Sequence, residues 1–249
     1  MMKPCWCFTL GLGIALTVSA CGGSGGSDNN ATGSNGQLDK QAKLTFVNTA
    51  RDQVDAFVKN GADATSEDLF TQTHLKAGPV SHESHREYTH RWGGSSALDI
   101  SIGIWDSKYQ LEEEPAQTNT QLNSGENWWV IAWLNGETTN SFQVTSLRRS
   151  HNEVPSDQYQ FRVFSNTDIR IDYESATASG ATNVSAGKVS SPILMAGCND
   201  QFEVSATKGE AGTGLVPQQL NLCGIPDLQP GDAYLLITSD DEILYAVQE

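Results

Sequence analysis

The feature that most constrains this chain is that it repeats itself. "FVNTARDQVDAFV", Phe46 to Val58, corresponds to "FSNTDIRIDYES", Phe164 to Ser175, through Asn-Thr followed by an aliphatic-Asp pair. "AGPVS", Ala77 to Ser81, corresponds to "AGKVS", Ala186 to Ser190, and "LDISIGIWD", Leu98 to Asp106, to "FEVSATKGE", Phe202 to Glu210. "SGENWWVIAWLNGE", Ser124 to Glu137, corresponds to "PGDAYLLITSDDE", Pro230 to Glu242. Matches kept in one order along the chain mark a duplication, so the two halves are expected to share one design.

The repeated segments read as strands. Leu98, Ile100, Ile102 and Ile104 alternate with polar or small residues, the pattern of a half-buried strand. Trp128 to Leu134 and Tyr234 to Ile237 are apolar at every position, so each is expected to be a central strand covered on both faces. Short strands separated by Gly, Asn and Asp turns, without a long helical period, predict an all-β chain of two tandem β-sandwiches. We place the first copy at residues 38–147, a linker at 148–156 and the second copy at 157–249.

Two resemblances extend this reading. The chain opens with one lysine, an apolar run from Cys5 to Val18 and small residues up to Ala20, an export signal over residues 1–20. "VSAC", Val18 to Cys21, resembles the lipobox of bacterial lipoproteins, which implies lipidation of Cys21 and anchorage to a membrane through acyl chains. Residues 21–37, rich in Gly and Ser, then read as a flexible tether. Gly22 resembles the sorting pattern of outer-membrane lipoproteins of Gram-negative cells. Further on, the Thr-Phe-Val and Arg-Val strands, the Asn, the aliphatic-Asp pair, the Gly-x-Val-Ser and the closing aromatic strand resemble the tandem domain-of-unknown-function (4397-type) β-sandwich family of bacterial lipoproteins. So does the joint "SFQVTSLRRSHNEVPSDQYQFRVFSNT". That resemblance covers residues 42–249 and implies immunoglobulin-like sandwiches on the cell envelope, with a binding or scaffolding role and no catalytic residues to carry over.

Charge and cysteine usage narrow the partners. The chain carries 15 basic and 30 acidic residues, a net charge of -15, and loss of Lys3 with the leader makes the remainder more acidic still. Such a surface argues against nucleic acid and against electrostatic docking on anionic lipid. It leaves a membrane tether through lipid, and an envelope protein or glycan as partner. Once Cys5, Cys7 and Cys21 are assigned to the leader and the lipid, Cys198 and Cys223 remain, and an oxidising compartment predicts a disulfide between them. On the chain-entropy model it contributes roughly 3 to 4 kcal/mol.

Chemistry, if any, concentrates in "HLKAGPVSHESHREYTHRW", His74 to Trp92, which holds four of the five histidines. The corresponding interval of the second copy, Ser191 to Gln201, has none. If a turn near Glu87 gathers His82, His85 and His90, with Glu87 or Glu83 completing the shell, the set suits zinc or copper. A fully extended strand instead separates His82 from His90 by about 27 Å. The alternative to a metal-binding role is a polar strand and loop with solvated imidazoles and no cofactor. No Gly-x-Ser-x-Gly elbow, His-Glu-x-x-His helix or phosphate-cradling loop is present, so an enzyme is not expected. Every tryptophan outside the leader lies in the first copy, and Trp92 and Trp105, at a loop and a strand end, are expected to be exposed aromatic contacts.

Overall fold

The computed structural model describes residues 38–50, 53–107, 114–135, 141–150, 153–207, 217–239 and 242–249. The leader, Cys21 and the tether lie outside the described residues. Residues 36–249 form one compact unit, and no helix among the described residues is long and apolar enough to cross a membrane.

The first copy contains β1 (Lys40–Asn48), β2 (Val54–Asn60), the short helix α1 (Ser66–Leu69), β3 (Leu75–Val80), β4 (Ser84–Trp92), β5 (Ala97–Asp106), β6 (Ala116–Asn123), β7 (Asn127–Asn135) and β8 (Ser141–Arg148). The second contains β9 (Tyr159–Ser165), β10 (Ile169–Glu174), β11 (Ser179–Val184), β12 (Ile193–Met195), β13 (Gln201–Ala206), β14 (Gln218–Gln219), a 3₁₀ turn at Leu222–Gly224, β15 (Ala233–Ser239) and β16 (Glu242–Gln248).

These strands make four sheets. In the first copy the orders are β4-β1-β7-β8 and β3-β2-β5-β6; in the second they are β12-β9-β15-β16 and β11-β10-β13-β14. Each strand of the first copy thus has its counterpart eight places on, and even the parallel pairing of β1 with β7 returns as β9 with β15. The duplication read from sequence is therefore a duplication of topology, and the chain is all-β, two four-plus-four-stranded sandwiches in tandem. One repeated motif does not keep its place. "AGPVS" runs into β3, which pairs with β2, whereas "AGKVS" follows β11 and hydrogen-bonds along β9, with Gly187 N donating to Ser165 O at 2.8 Å and Ser190 N to Val163 O at 2.8 Å. Gly187, at φ +71°, turns the chain there, where the first copy has an extended strand.

Each sandwich buries its own core, since side chains alternate across a strand. In the first, Leu44 and Phe46 of β1 meet Val130 and Ala132 of β7 and Ile100, Ile102 and Ile104 of β5. In the second, Phe161 and Val163 meet Tyr234 and Leu236, with Ile169, Ile171, Phe202 and Val204 from the facing sheet. The two-faced apolar strands find their second cover in each other. Val47, Trp129, Ile131 and Trp133 from the first copy pack with Phe164, Leu235 and Ile237 from the second in a separate buried cluster. The sheet β4-β1-β7-β8 is therefore set back to back with β12-β9-β15-β16. Full burial of a large apolar side chain contributes about 1.5–3 kcal/mol, so seven of them make a substantial joint.

Polar pairs fix how the two sheets meet. The Glu249 carboxylate, fully buried, accepts from Arg162 Nε at 2.9 Å, from Arg162 Nη2 and from Trp129 Nε1 at 3.1 Å. The Arg149 guanidinium lies 4.1 Å from the Trp129 ring centroid and donates to Gln248 O at 2.8 Å. Trp133 meets Phe164 edge-on at 5.9 Å. It also lies against Gly187, where a Cβ would stand 2.6 Å from Trp133 Cζ2. Of the residues that the sequence reading assigned to a linker, Arg148 ends β8 and pairs with Glu126 of the first copy, while Arg149 is docked onto the second copy.

The expected disulfide between Cys198 and Cys223 is present. It ties the segment between β12 and β13 to the 3₁₀ turn beside β14.

Candidate functional site

The histidine stretch is placed by its turn. Glu83, at φ 51°, reverses the chain between β3 and β4, so the turn falls at Ser81–Glu83 and not near Glu87. The turn also carries the chain from one sheet of the sandwich to the other. From Ser84 onward β4 is an edge strand paired with β1, with His90 opposite Ala42, Tyr88 opposite Leu44 and His85 opposite Val47. Its inward column is Arg86, Tyr88, His90 and Trp92; its outward column contains His85 and Glu87.

The proposed metal ligands are consequently dispersed. His82 stands in the turn, its Nδ1 bonded to Ala50 O and its Nε2 3.3 Å from Glu83. His85 turns toward the second copy, where its Nδ1 pairs with the Tyr245 hydroxyl at 2.6 Å. Glu87 pairs with Lys43 at 2.6 Å. His90 points inward and is 6% exposed. Among the described residues no group of three or more His, Cys, Asp or Glu side chains is positioned to hold a metal ion.

The tryptophan expectation is corrected. Trp92 is 3% exposed, packed in the first core as the last inward residue of β4, and its Nε1 donates to Ser95 O at 3.1 Å. Trp105 is half-buried on the outer face of its sheet, edge-on to Phe70 at 5.5 Å, and Phe70 in turn meets Phe57 at 5.2 Å. This external cluster exists because α1 lays Leu69 and Phe70 over Gly103, where a Cβ would come within 2.6 Å of Phe70. Neither ring is a free contact surface.

Among the described residues, two clefts open different edges of the two sandwiches. The first lies between β3 and β4 of the first copy, a hollow of about 360 Å³ bordered by Lys59, Asn60, His74, Lys76, Tyr88 and His90. His90 Nε2 bonds Asn60 Oδ1 at 2.9 Å, which fixes the proton on Nε2 and leaves Nδ1 to accept from the Tyr88 hydroxyl at 3.4 Å. Burial, aided by the Lys76 charge, holds the His90 imidazole below its ordinary pKa and therefore neutral. Burial likewise raises the Tyr88 hydroxyl. His74 is held by Nδ1, bonded to Asp68 O at 2.8 Å and near Thr71 Oγ1 at 3.1 Å. Lys59 pairs with Asp68 at 3.5 Å, and Lys76 donates to Thr73 O at 2.8 Å.

The second cleft, about 510 Å³, lies between the 3₁₀ turn and β16 of the second copy. Its walls include Leu220, Asn221, Ile225, Pro226, Leu244 and Tyr245, with no charged side chain among the described lining residues. The Asn221 carboxamide accepts from Gly224 N at 3.1 Å, so its oxygen is committed to the turn and its NH₂ remains. Tyr245 borders the cleft, but its ring packs into the joint between the copies and its hydroxyl pairs with His85. In the first copy the equivalent edge is closed by the eight-residue β6 lying against β8. Among the described residues the second copy has the two-residue β14 there, and the cleft lies beside it.

Sequence reasoning singled out His90 as a possible metal ligand and missed Lys59, Lys76 and Tyr88 beside it, which come from three strands in two sheets. The second cleft had one legible signal, the poverty of strand residues between Ala206 and Ala233.

No family model matches the chain, and no curated protein matches it. Among solved structures it is similar to CBMbc (family CBM26) from Eubacterium rectale Amy13K, in complex with maltoheptaose. The identity is 11%, over 84% of this chain and 96% of that one, with a TM-score of 0.22. A likeness of that degree carries no argument about ligand.

Proposed function

We propose that this chain is an exported, lipid-anchored binding protein of the cell envelope, held through Cys21 to the outer membrane, and that it binds a neutral glycan without turning it over. The relation to tandem sandwich lipoproteins belongs to the same reading. The observation that carries the ligand assignment is the uncharged cleft beside β16. Its volume lies within the range of about 300–1,000 Å³ used by small-ligand sites, and its lining mixes apolar side chains with the polar groups of Gln219 and Asn221. In a chain of net charge -15, an uncharged concavity selects a ligand without charge. Asn221, its oxygen held by Gly224 N, supplies an amide donor toward a neutral ligand.

Calorimetric titration of residues 36–249 with a panel of neutral oligosaccharides and extended peptides tests this. Pro226 is an exposed wall residue, so Pro226→Trp fills the cleft without touching the core. An oligosaccharide that binds, and that Pro226→Trp weakens by roughly tenfold or more, is the expected result. Binding of peptides alone along the edge of β16, or saccharide binding indifferent to Pro226→Trp, would sink the glycan assignment.

A further inference from the structure

We propose that the cleft between β3 and β4 is a second binding site, for a carboxylate-bearing ligand of sugar-acid size. It lies in the other copy and at the opposite edge of the sandwich design from the glycan cleft, and it stands whether or not that reading holds.

The argument begins with charge. Lysine and arginine are outnumbered two to one in this chain, 15 against 30, so an anion is repelled from most of the surface. At this edge two lysines border one hollow, from β2 and β3. Lys59 is engaged with Asp68, but among the described residues Lys76 enters no ion pair, its ammonium being anchored only by the Thr73 carbonyl. That ammonium is close enough to His90 to act on its protonation, so the two groups share one space. Glu87, the nearest acid on β4, faces the other side of the strand and is occupied by Lys43.

The rest of the lining suits an organic acid better than a bare ion. The Asn60–His90–Tyr88 chain fixes a neutral imidazole and a phenol, and fixed neutral groups offer hydrogen bonds without competing for the lysine. The Tyr88 ring gives a flat wall to one side. His74 is anchored by Nδ1, which presents Nε2 as its remaining polar atom. A carboxylate on Lys76 forms a charge-assisted bond, about twice as strong as a neutral one, in a site partly withdrawn from water. The hollow of about 360 Å³ exceeds what a carboxylate alone would occupy. In the second copy the corresponding edge strand, β12, is three residues long, with Ile193 and Met195 buried, so it carries no such polar column. The site is therefore peculiar to the first copy.

The test titrates the full chain with glucuronate, with glucose and with inorganic phosphate, beside Lys76→Gln and Pro226→Trp. Lys76→Gln removes the charge from a partly exposed strand position while leaving an amide to reach Thr73, and circular dichroism confirms its fold. Glucuronate binding that Lys76→Gln weakens by roughly tenfold, that sodium chloride weakens, and that Pro226→Trp leaves unchanged is expected, with glucose and phosphate unbound. In proton spectra, the His74 and His90 ring signals shift with glucuronate. Equal binding of glucose, preference for phosphate, indifference to Lys76→Gln, or no heat with millimolar glucuronate overturns the proposal.

Discussion

His85 and His90 lie on one strand and serve different bodies. Five positions apart, they fall on opposite faces of β4, one reaching Tyr245 across the joint and the other buried with Asn60 and Tyr88. That opposition follows from the two-residue period and was legible in the sequence; the position of the turn was not, because it depends on Glu83 taking a left-handed conformation. Burial has a consequence for pH. The His90 pKa is lowered from an ordinary value of 6.5 in the folded chain, so the unfolded chain protonates first as pH falls. Its contribution to stability is complete above that value, is lost as pH drops through it, and levels off below the folded pKa. The urea midpoint is expected to fall between about pH 7.5 and 5.5, and His90→Gln should lessen that fall. An identical pH profile in the variant would show that His90 is not the titrating group. Trp92 carries the opposite lesson: its neighbours in sequence are loop-like, yet it closes the inward column of β4, and only the register with β1 reveals that.

Strands β7 and β15 are the elements on which the whole arrangement turns. Their sequences are apolar on both faces because each serves two cores, its own sandwich and the joint. The prediction of a doubly covered strand was correct, while the identity of the second cover lay beyond any single element. Trp129 shows the size of the effect: it faces away from its own sandwich but is 1% exposed, ringed by Arg149, Glu249 and the apolar face of the second copy. Trp129→Ala should destabilise the chain by about 3–5 kcal/mol, the cost of a core truncation. Denaturant unfolding measures it, and a loss below about 1 kcal/mol would mean that the joint contributes little. Edges behave differently from centres. On β4 the first copy carries Tyr88 and His90 where the shorter β12 buries Ile193 and Met195, and β14 has two described residues where β6 has eight. Each difference coincides with a cleft at an edge, where a strand supports only one neighbour.

At the scale of the molecule, the four sheets form one stack in which the two inner ones meet back to back. The buried Glu249 with Arg162 and Trp129 sets the orientation, since breaking such a pair leaves an uncompensated charge inside. A body so joined presents these two clefts in a fixed relation. The anchor is tested directly: Cys21→Ser should move the protein from the membrane fraction to the soluble one, and unchanged membrane association would overturn the lipoprotein reading. The sequence by itself determined the duplication, the strand periods, the cysteine pair and the all-β class, because these are written in local spacing and composition. Tertiary structure alone decided that the copies dock, that the histidines part company, and that lysines from separate strands meet at one edge. Those outcomes depend on which sheet each strand joins and in what register, and pairing between residues far apart in the chain leaves no local mark.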